Sequence, residues 1–163
     1  GCLDPERHIQ IGIRGRMTGL VGGHAKNFGV TVVTADEARR TAAEEMAARI
    51  IEVVGDGPTY ITIDLDGLDA IYNSASSAVE PFGLDAGWLW DVIREVRASG
   101  KVNLVGADIM EYAPYCDPAK TFGYYAAAFG WKLLCWLAVD VAKRNGERRG
   151  TVWPQAFGSV TLG

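Results

Sequence analysis

The chain has 163 residues, is 48% hydrophobic and 22% charged, and carries a formal net charge of −4. That length and apolar content suit one buried core, so residues 1–163 are read as a single domain. The mild acidity offers neither a basic stripe for nucleic acid nor a polybasic patch for a membrane, so neither partner is expected.

"GCLDPERHIQ" at the start has no apolar core region, so no leader is read there. The three cysteines, Cys2, Cys116 and Cys135, form no CxxC pair, which predicts reduced thiols and a cytoplasmic location. "HIQIGIRG", residues 8–15, reads as a strand, and the Gly-rich segment 15–29 as loop. "VTVVT", residues 30–34, is a second β-branched run. Residues 35–55 carry Ala, Met and Ile at three- and four-residue spacing, which predicts one helix ended by Gly55.

After "GDGP", "TYITIDL" is a third strand, and a loop containing Pro81 and Gly83 comes next. Asp85 and Gly100 bracket a helix as N-cap and stop. "KVNLVGADIMEY", residues 101–112, is a fourth strand. A long apolar helix then starts at Asp117 or Pro118 and runs to about Arg144. Its stretch 124–139 is interrupted by Lys132 and short of the ~20 apolar residues a bilayer needs, so it is expected to be buried on most sides. The tail ends in a weak strand-like "SVTL".

Strands alternating with helices predict βαβ units and a parallel sheet. Ligands of such sheets bind outside the carboxyl ends of the strands. Asp64, Asp66 and Asp69 lie at one such end, and Asp108 and Glu111 at another, so all five are expected on one rim if the strands are neighbours. Few cations are near them in sequence, and burying an unpaired carboxylate is costly. Asp64 and Asp66, two residues apart on a strand, would share a face and suit a divalent ion such as Mn²⁺ or Mg²⁺. The spacing alone leaves a structural role equally open. Asp69, following Gly67, reads as a carboxylate for local backbone amides.

These residues resemble a family. "TIDLDGLDA" is similar to the S-x-D-x-D-x-x-D-P signature of the ureohydrolases, the arginase and agmatinase family. "AIYNSASSAVEPFGL", residues 70–84, aligns without a gap with the family's P-A-F-A-P-G-T-G-T-P-E-P-G-G-L loop. "QIGIRG" upstream and "NLVGADIMEYAPYCDPAKTFGYYAA" downstream extend the likeness over most of residues 8–142.

The resemblance implies the C-terminal half of an arginase-type fold, a three-layer α/β arrangement of parallel sheet with flanking helices. It implies hydrolysis of a guanidino compound to urea and an amine. Two Mn²⁺ ions per complete site would ready a water for attack on the guanidinium carbon. By similarity Asp64 would bridge both ions, and Asp66 would bind one and count among the catalytic residues. Glu111 would be the catalytic and substrate-binding carboxylate, suited to the planar N–H fork of a guanidinium. Asp69 and Asp108 match supporting positions. Homo-oligomers, trimers or hexamers, are common in the family.

Departures bear on this. Ala70 stands at the family's proline. Ser74, Ala75, Ser77, Ala78, Val79 and Phe82 stand where Pro, Gly, Gly, Thr, Pro and Gly are usual. Glycines allow positive φ, so the replacements predict an altered loop path or strain. Nothing matches the family's G-G-D-H-S and D-A-H-x-D segments. The two histidines, His8 and His24, read as loop or strand-start residues rather than ligands. The chain thus supplies two metal ligands and needs a missing N-terminal half for the rest, which predicts that it is inactive by itself. The competing reading is a catalytically inactive or split-subunit assembly protein of the same family. A generic Mg²⁺-binding α/β domain for a phosphorylated ligand ranks below both, because "GLVGGHAKN" is no phosphate loop. The serines of the acid-rich loop have no histidine to activate them, so a hydrolase triad is not expected.

Overall fold

The structure is a computed structural model that describes residues 3–15, 25 and 27–146. Strand β1, Ile9–Ile13, pairs in parallel with β2, Thr31–Thr34. Strand β3, Pro58–Asp64, pairs in parallel with β4, Asn103–Met110. All four strands fall where the β-branched runs place them. Among the described residues they form two separate two-stranded pairs, and β1 is not hydrogen-bonded to β3. The parallel α/β class holds, while a single continuous sheet is not formed by these residues.

The helix expected over 35–55 is two helices, α1 (Ala35–Ala38) and α2 (Ala43–Val54). Thr34 caps α1 through Glu37 N–H, and the Thr41 hydroxyl donates back to the Glu37 carbonyl at 2.9 Å. Such local bonds compete with the helical ladder. The Thr41 carbonyl freed by the break accepts from the Trp88 indole at 2.9 Å. Helix α2 ends at Gly55, φ +61°, and Arg7 Nε donates to its Val54 carbonyl at 2.8 Å.

Helix α3, Ala86–Ser99, begins and ends as the sequence indicates. The Asp85 carboxylate accepts from Trp88 N–H at 2.8 Å, and Gly100 stops the helix in the left-handed region. One core joins Met46 and Val54 of α2, Val92 and Val96 of α3, Leu104 of β4, and Phe129, Leu133 and Trp136 of the last helix, α4 (Gly123–Arg144). Burying each such side chain contributes about 1.5–3 kcal/mol.

Helix α4 starts later than the sequence suggests. Asp117 lies a turn and a half ahead and gathers the helix's unpaired amides instead of beginning it. Its carboxylate accepts from the N–H groups of Thr121, Phe122 and Gly123 at 3.0–3.2 Å, and from the Tyr112 hydroxyl at 3.1 Å. With 22 residues, α4 is by length and composition long and apolar enough to cross a bilayer, contrary to the sequence reading. Burial on most sides is also corrected, because α4 buries one face. Phe129, Lys132, Leu133, Trp136 and Asp140 are covered, while Tyr124, Trp131, Leu134 and Val141 are exposed. Lys132 fits the covered face by placing its ammonium 3.5 Å from the Trp90 ring centre and donating to the Trp90 carbonyl at 2.9 Å.

Cys116 and Cys135 are free thiols. Cys2, His24 and the "SVTL" segment lie outside the described residues or their described side chains.

Candidate functional site

Pairing of β3 with β4 sets Asp64 opposite Met110, so both strands end at one level. The segments just past these two ends form the rim. After β3 the chain makes a single 3-10 turn, Leu65–Gly67. Asp66 therefore stands on that turn and not on the strand, correcting the expectation that Asp64 and Asp66 are strand neighbours. The turn still brings the two carboxyls within hydrogen-bonding reach of each other. Burial, first, and then the Asp64 charge push the Asp66 carboxyl up to about 6, with Glu111 adding to the rise and Arg14 opposing it.

Arg14 is the cation that sequence proximity does not reveal. It lies just past β1, 52 residues before Asp66. Its guanidinium does not pair with the carboxylates; it fastens backbone carbonyls. Nη2 donates to Asp66 O at 2.6 Å, Leu68 O at 3.1 Å and Glu80 O at 2.7 Å, and Nε to Pro81 O at 3.2 Å. Arg14 thereby ties the turn bearing Asp66 to the far side of the 69–83 loop. The loop is closed at its base by the bridge between Leu68 and Leu84. Gly83 is required there, since a Cβ would collide with the Leu68 backbone.

Asp69 plays the supporting part read from sequence. Oδ1 accepts from Ile71 N–H at 3.2 Å and Oδ2 from Gly83 N–H at 3.0 Å. The Ile71 amide is the leading cause that holds this carboxyl below its usual range. Phe82, at the family's glycine, keeps the left-handed backbone with φ +61° and leaves its ring exposed. The loop therefore holds a glycine-type conformation on a residue strained by it.

Asp108 does not join the rim. It sits within β4 opposite Thr62, two residues short of the strand end. Its Oδ2 accepts from Tyr60 OH at 2.9 Å, and its Oδ1 is buried with no partner among the described residues.

Glu111, by contrast, stands immediately past β4, in the left-handed region at φ +57°. Asn73, fully buried, holds the turn by donating from Nδ2 to the Glu111 carbonyl at 3.1 Å. The Ala113 N–H donates to Ala75 O at 2.8 Å. The Glu111 carboxylate Oε2 accepts from Ser76 Oγ at 2.9 Å, Ser77 Oγ at 2.7 Å and Ser77 N at 3.2 Å. The Ser77 hydroxyl, then that of Ser76, hold the carboxyl below its usual range. In the sequence these serines stand out only as lacking a histidine for a triad. Their donor role needs the loop's return over the end of β4, which spacing does not encode.

The rim thus collects Asp64, Asp66 and Glu111. Asp64 and Asp66 face each other with no arginine, lysine or backbone amide bonded to either carboxylate among the described residues. Two hard oxygen donors set close together, with the Asp66 carboxyl raised to about 6, fit part of the ligand set of a divalent cation. They are not a whole set. Among the described residues no group of three or more His, Cys, Asp or Glu is arranged to hold a metal ion. His8 precedes β1 at the end of the Pro5–Arg7 turn and takes no part.

Residues 1–135 match the model of the arginase family. The chain is 33% identical over 144 residues to the guanidinopropionase of Pseudomonas aeruginosa, covering 88% of this chain and 44% of that protein. It is 33% identical over 132 residues to the agmatinase of Blochmanniella floridana, covering 81% of this chain and 40% of that protein. Proclavaminate amidino hydrolase from Streptomyces clavuligerus superposes with a TM-score of 0.76 at 32% identity, over 83% of this chain and 44% of that one. The chain therefore spans about two fifths of the length of the relatives it matches. Its α/β fold of parallel strands and helices is a partial arginase fold, and the chain belongs to the arginase family.

Proposed function

We propose that this chain is part of a manganese-dependent ureohydrolase that hydrolyses a guanidino compound to urea and an amine. The observation that carries the reading is the convergence of Asp64, Asp66 and Glu111 on one rim, with the first two lacking any bonded protein cation among the described residues. The names of the relatives, guanidinopropionase, agmatinase and proclavaminate amidino hydrolase, support the substrate class.

Asp64 and Asp66 would hold the manganese, which when bound supplies a hydroxide nucleophile near neutral pH. Glu111 stays ionised under its serine donors and faces a guanidinium with full negative charge. Charge-assisted bonds from such a carboxylate to N–H donors are about twice as strong as neutral ones. Arg14 holds the Asp66 turn in place through its backbone carbonyls, leaving the Asp64 and Asp66 carboxylates without a bonded arginine. The remaining metal ligands come from polypeptide outside this chain, either a missing N-terminal half or a neighbouring copy in a homo-oligomer. No partnership with nucleic acid or membrane is proposed, and the cytoplasm is the proposed location.

A second reading, a catalytically inactive or split-subunit assembly protein, is favoured by one observation: Phe82 strains the loop where the family keeps glycine. The test is urea release from agmatine and guanidinopropionate with Mn²⁺. The 163-residue chain alone should give none, and the chain joined to a family N-terminal segment should give urea that Asp66→Asn abolishes. Urea from the chain alone would overturn the division of ligands. No urea from the joined protein, with manganese bound, would favour the assembly reading.

A further inference from the structure

The Glu111 carboxylate has two chemically equivalent oxygens in two different situations. Oε2 accepts three hydrogen bonds, from Ser76 Oγ, Ser77 Oγ and Ser77 N–H, at 2.7–3.2 Å. A carboxylate offers about four lone-pair sites in all, so three donors saturate that one oxygen. Oε1 has no hydrogen-bond donor among the described residues. The backbone is fixed as firmly: Asn73 holds the Glu111 carbonyl, and φ of +57° restricts how the residue can turn.

We propose that Ser77, with Ser76, is a positioning residue that closes Oε2 of Glu111 and leaves Oε1 as the single open acceptor for a guanidinium. The inference rests on the guanidino reading above and deepens it. A guanidinium commonly meets a carboxylate fork to fork, through both oxygens. Here the serine clamp bars that geometry. The incoming group must bring its N–H donors to one oxygen, which fixes the angle at which its carbon faces Asp64 and Asp66. Ser77 supplies two of the three donors. The family loop commonly has glycine there, which carries no hydroxyl, so the Ser77 part of the clamp is a feature of this chain's own departure. Loop replacements that look like decay in sequence are, at position 77, a new contact to the Glu111 carboxylate.

The 163-residue chain and its Ser77→Ala and Ser77→Thr variants test this, with agmatine as the probe and no metal added. Two quantities are read by NMR: the Glu111 carboxyl carbon signal, and the agmatine affinity from its displacement. Ser77→Ala should displace the free Glu111 signal and weaken agmatine binding roughly tenfold, because the carboxylate is no longer held in advance at the angle the guanidinium meets. Ser77→Thr, which restores the hydroxyl, should return both toward wild type, which a packing effect would not do. Wild-type affinity in Ser77→Ala, or a loss that Ser77→Thr does not repair, overturns the clamp. If agmatine moves no signal in any variant, the guanidino reading is decided by the urea test of the joined protein. The free Glu111 signal then decides the clamp: displaced by alanine and restored by threonine supports it, and unchanged overturns it.

Discussion

Asp66 and Asp117 both lie in segments that follow a β-strand, the first on the turn directly after β3 and the second beyond the Pro114–Cys116 turn that follows β4, and their surroundings are opposite. Asp117 is fully buried and takes four donors: three backbone amides ahead of and within the start of α4, and the Tyr112 hydroxyl. Burial alone would raise its carboxyl; the Gly123 amide, Tyr112 and the other donors hold it below the usual range. Asp66 is half-buried, and after burial it is the charge of another carboxyl, Asp64, that raises it most. A protein that needs an acid for architecture surrounds it with N–H groups. An acid left against its own kind is arranged for a cation that arrives from outside.

The comparison can be broken most forcefully at the satisfied end. Asp117→Ala removes the acceptor for three amides at the entry to α4. The midpoint of thermal unfolding should fall by roughly 8 °C, read by circular dichroism. An unchanged midpoint would mean that the four bonds do not define a structural carboxylate. Arg14→Met comes next, because it strips the fork from the carbonyls of Asp66, Leu68 and Glu80. A drop of roughly 5 °C is expected, with the amide signals of residues 66–68 and 80–82 shifted together.

The unsatisfied end is sharpened by pH. Asp66 has a folded value raised from 3.8 to about 6. The neutral form is favoured in the folded state, so its contribution is fully present below 3.8 and is lost as pH rises through 6. Discounted for solvent screening, the loss is roughly 1 kcal/mol between about pH 4 and pH 7. Urea unfolding of Asp66→Asn should lack that loss and show a flatter profile than wild type. The smallest effect concerns the loop beside Asp69. Phe82→Gly relieves a left-handed residue while surrendering little burial, and should stabilise by about 0.5–1 kcal/mol in the same assay.

Much of this architecture is legible in the sequence. The β-branched runs, the Asp85 cap and the Gly100 stop locate the strands and α3 nearly to the residue. Motif order singles out Asp64, Asp66 and Glu111, and the rim brings them together. Local competition defeats the continuous 35–55 helix, because Thr34 and Thr41 take backbone partners that periodicity ignores. Proximity in sequence puts Asp108 on the rim, yet the register with Thr62 keeps it two residues inside. Arg14, Asn73 and the Ser77 clamp depend on partners 52, 38 and 34 residues away, which no local pattern carries. The exposed face of α4 is invisible to composition, which reports how apolar a helix is and not on which side it is covered.

The central claim is that Asp64 and Asp66 form one portion of a cation site. The most direct test adds a small fraction of one equivalent of Mn²⁺ to the chain and tracks paramagnetic broadening of the assigned aspartate and glutamate carboxyl carbons. Even weak, rapidly exchanging manganese should erase the Asp64 and Asp66 signals first, leave Asp69 and Asp117 sharp, and lose that selectivity in Asp66→Asn. Broadening spread evenly over the surface acids, or strongest away from residues 64 and 66, would contradict the account.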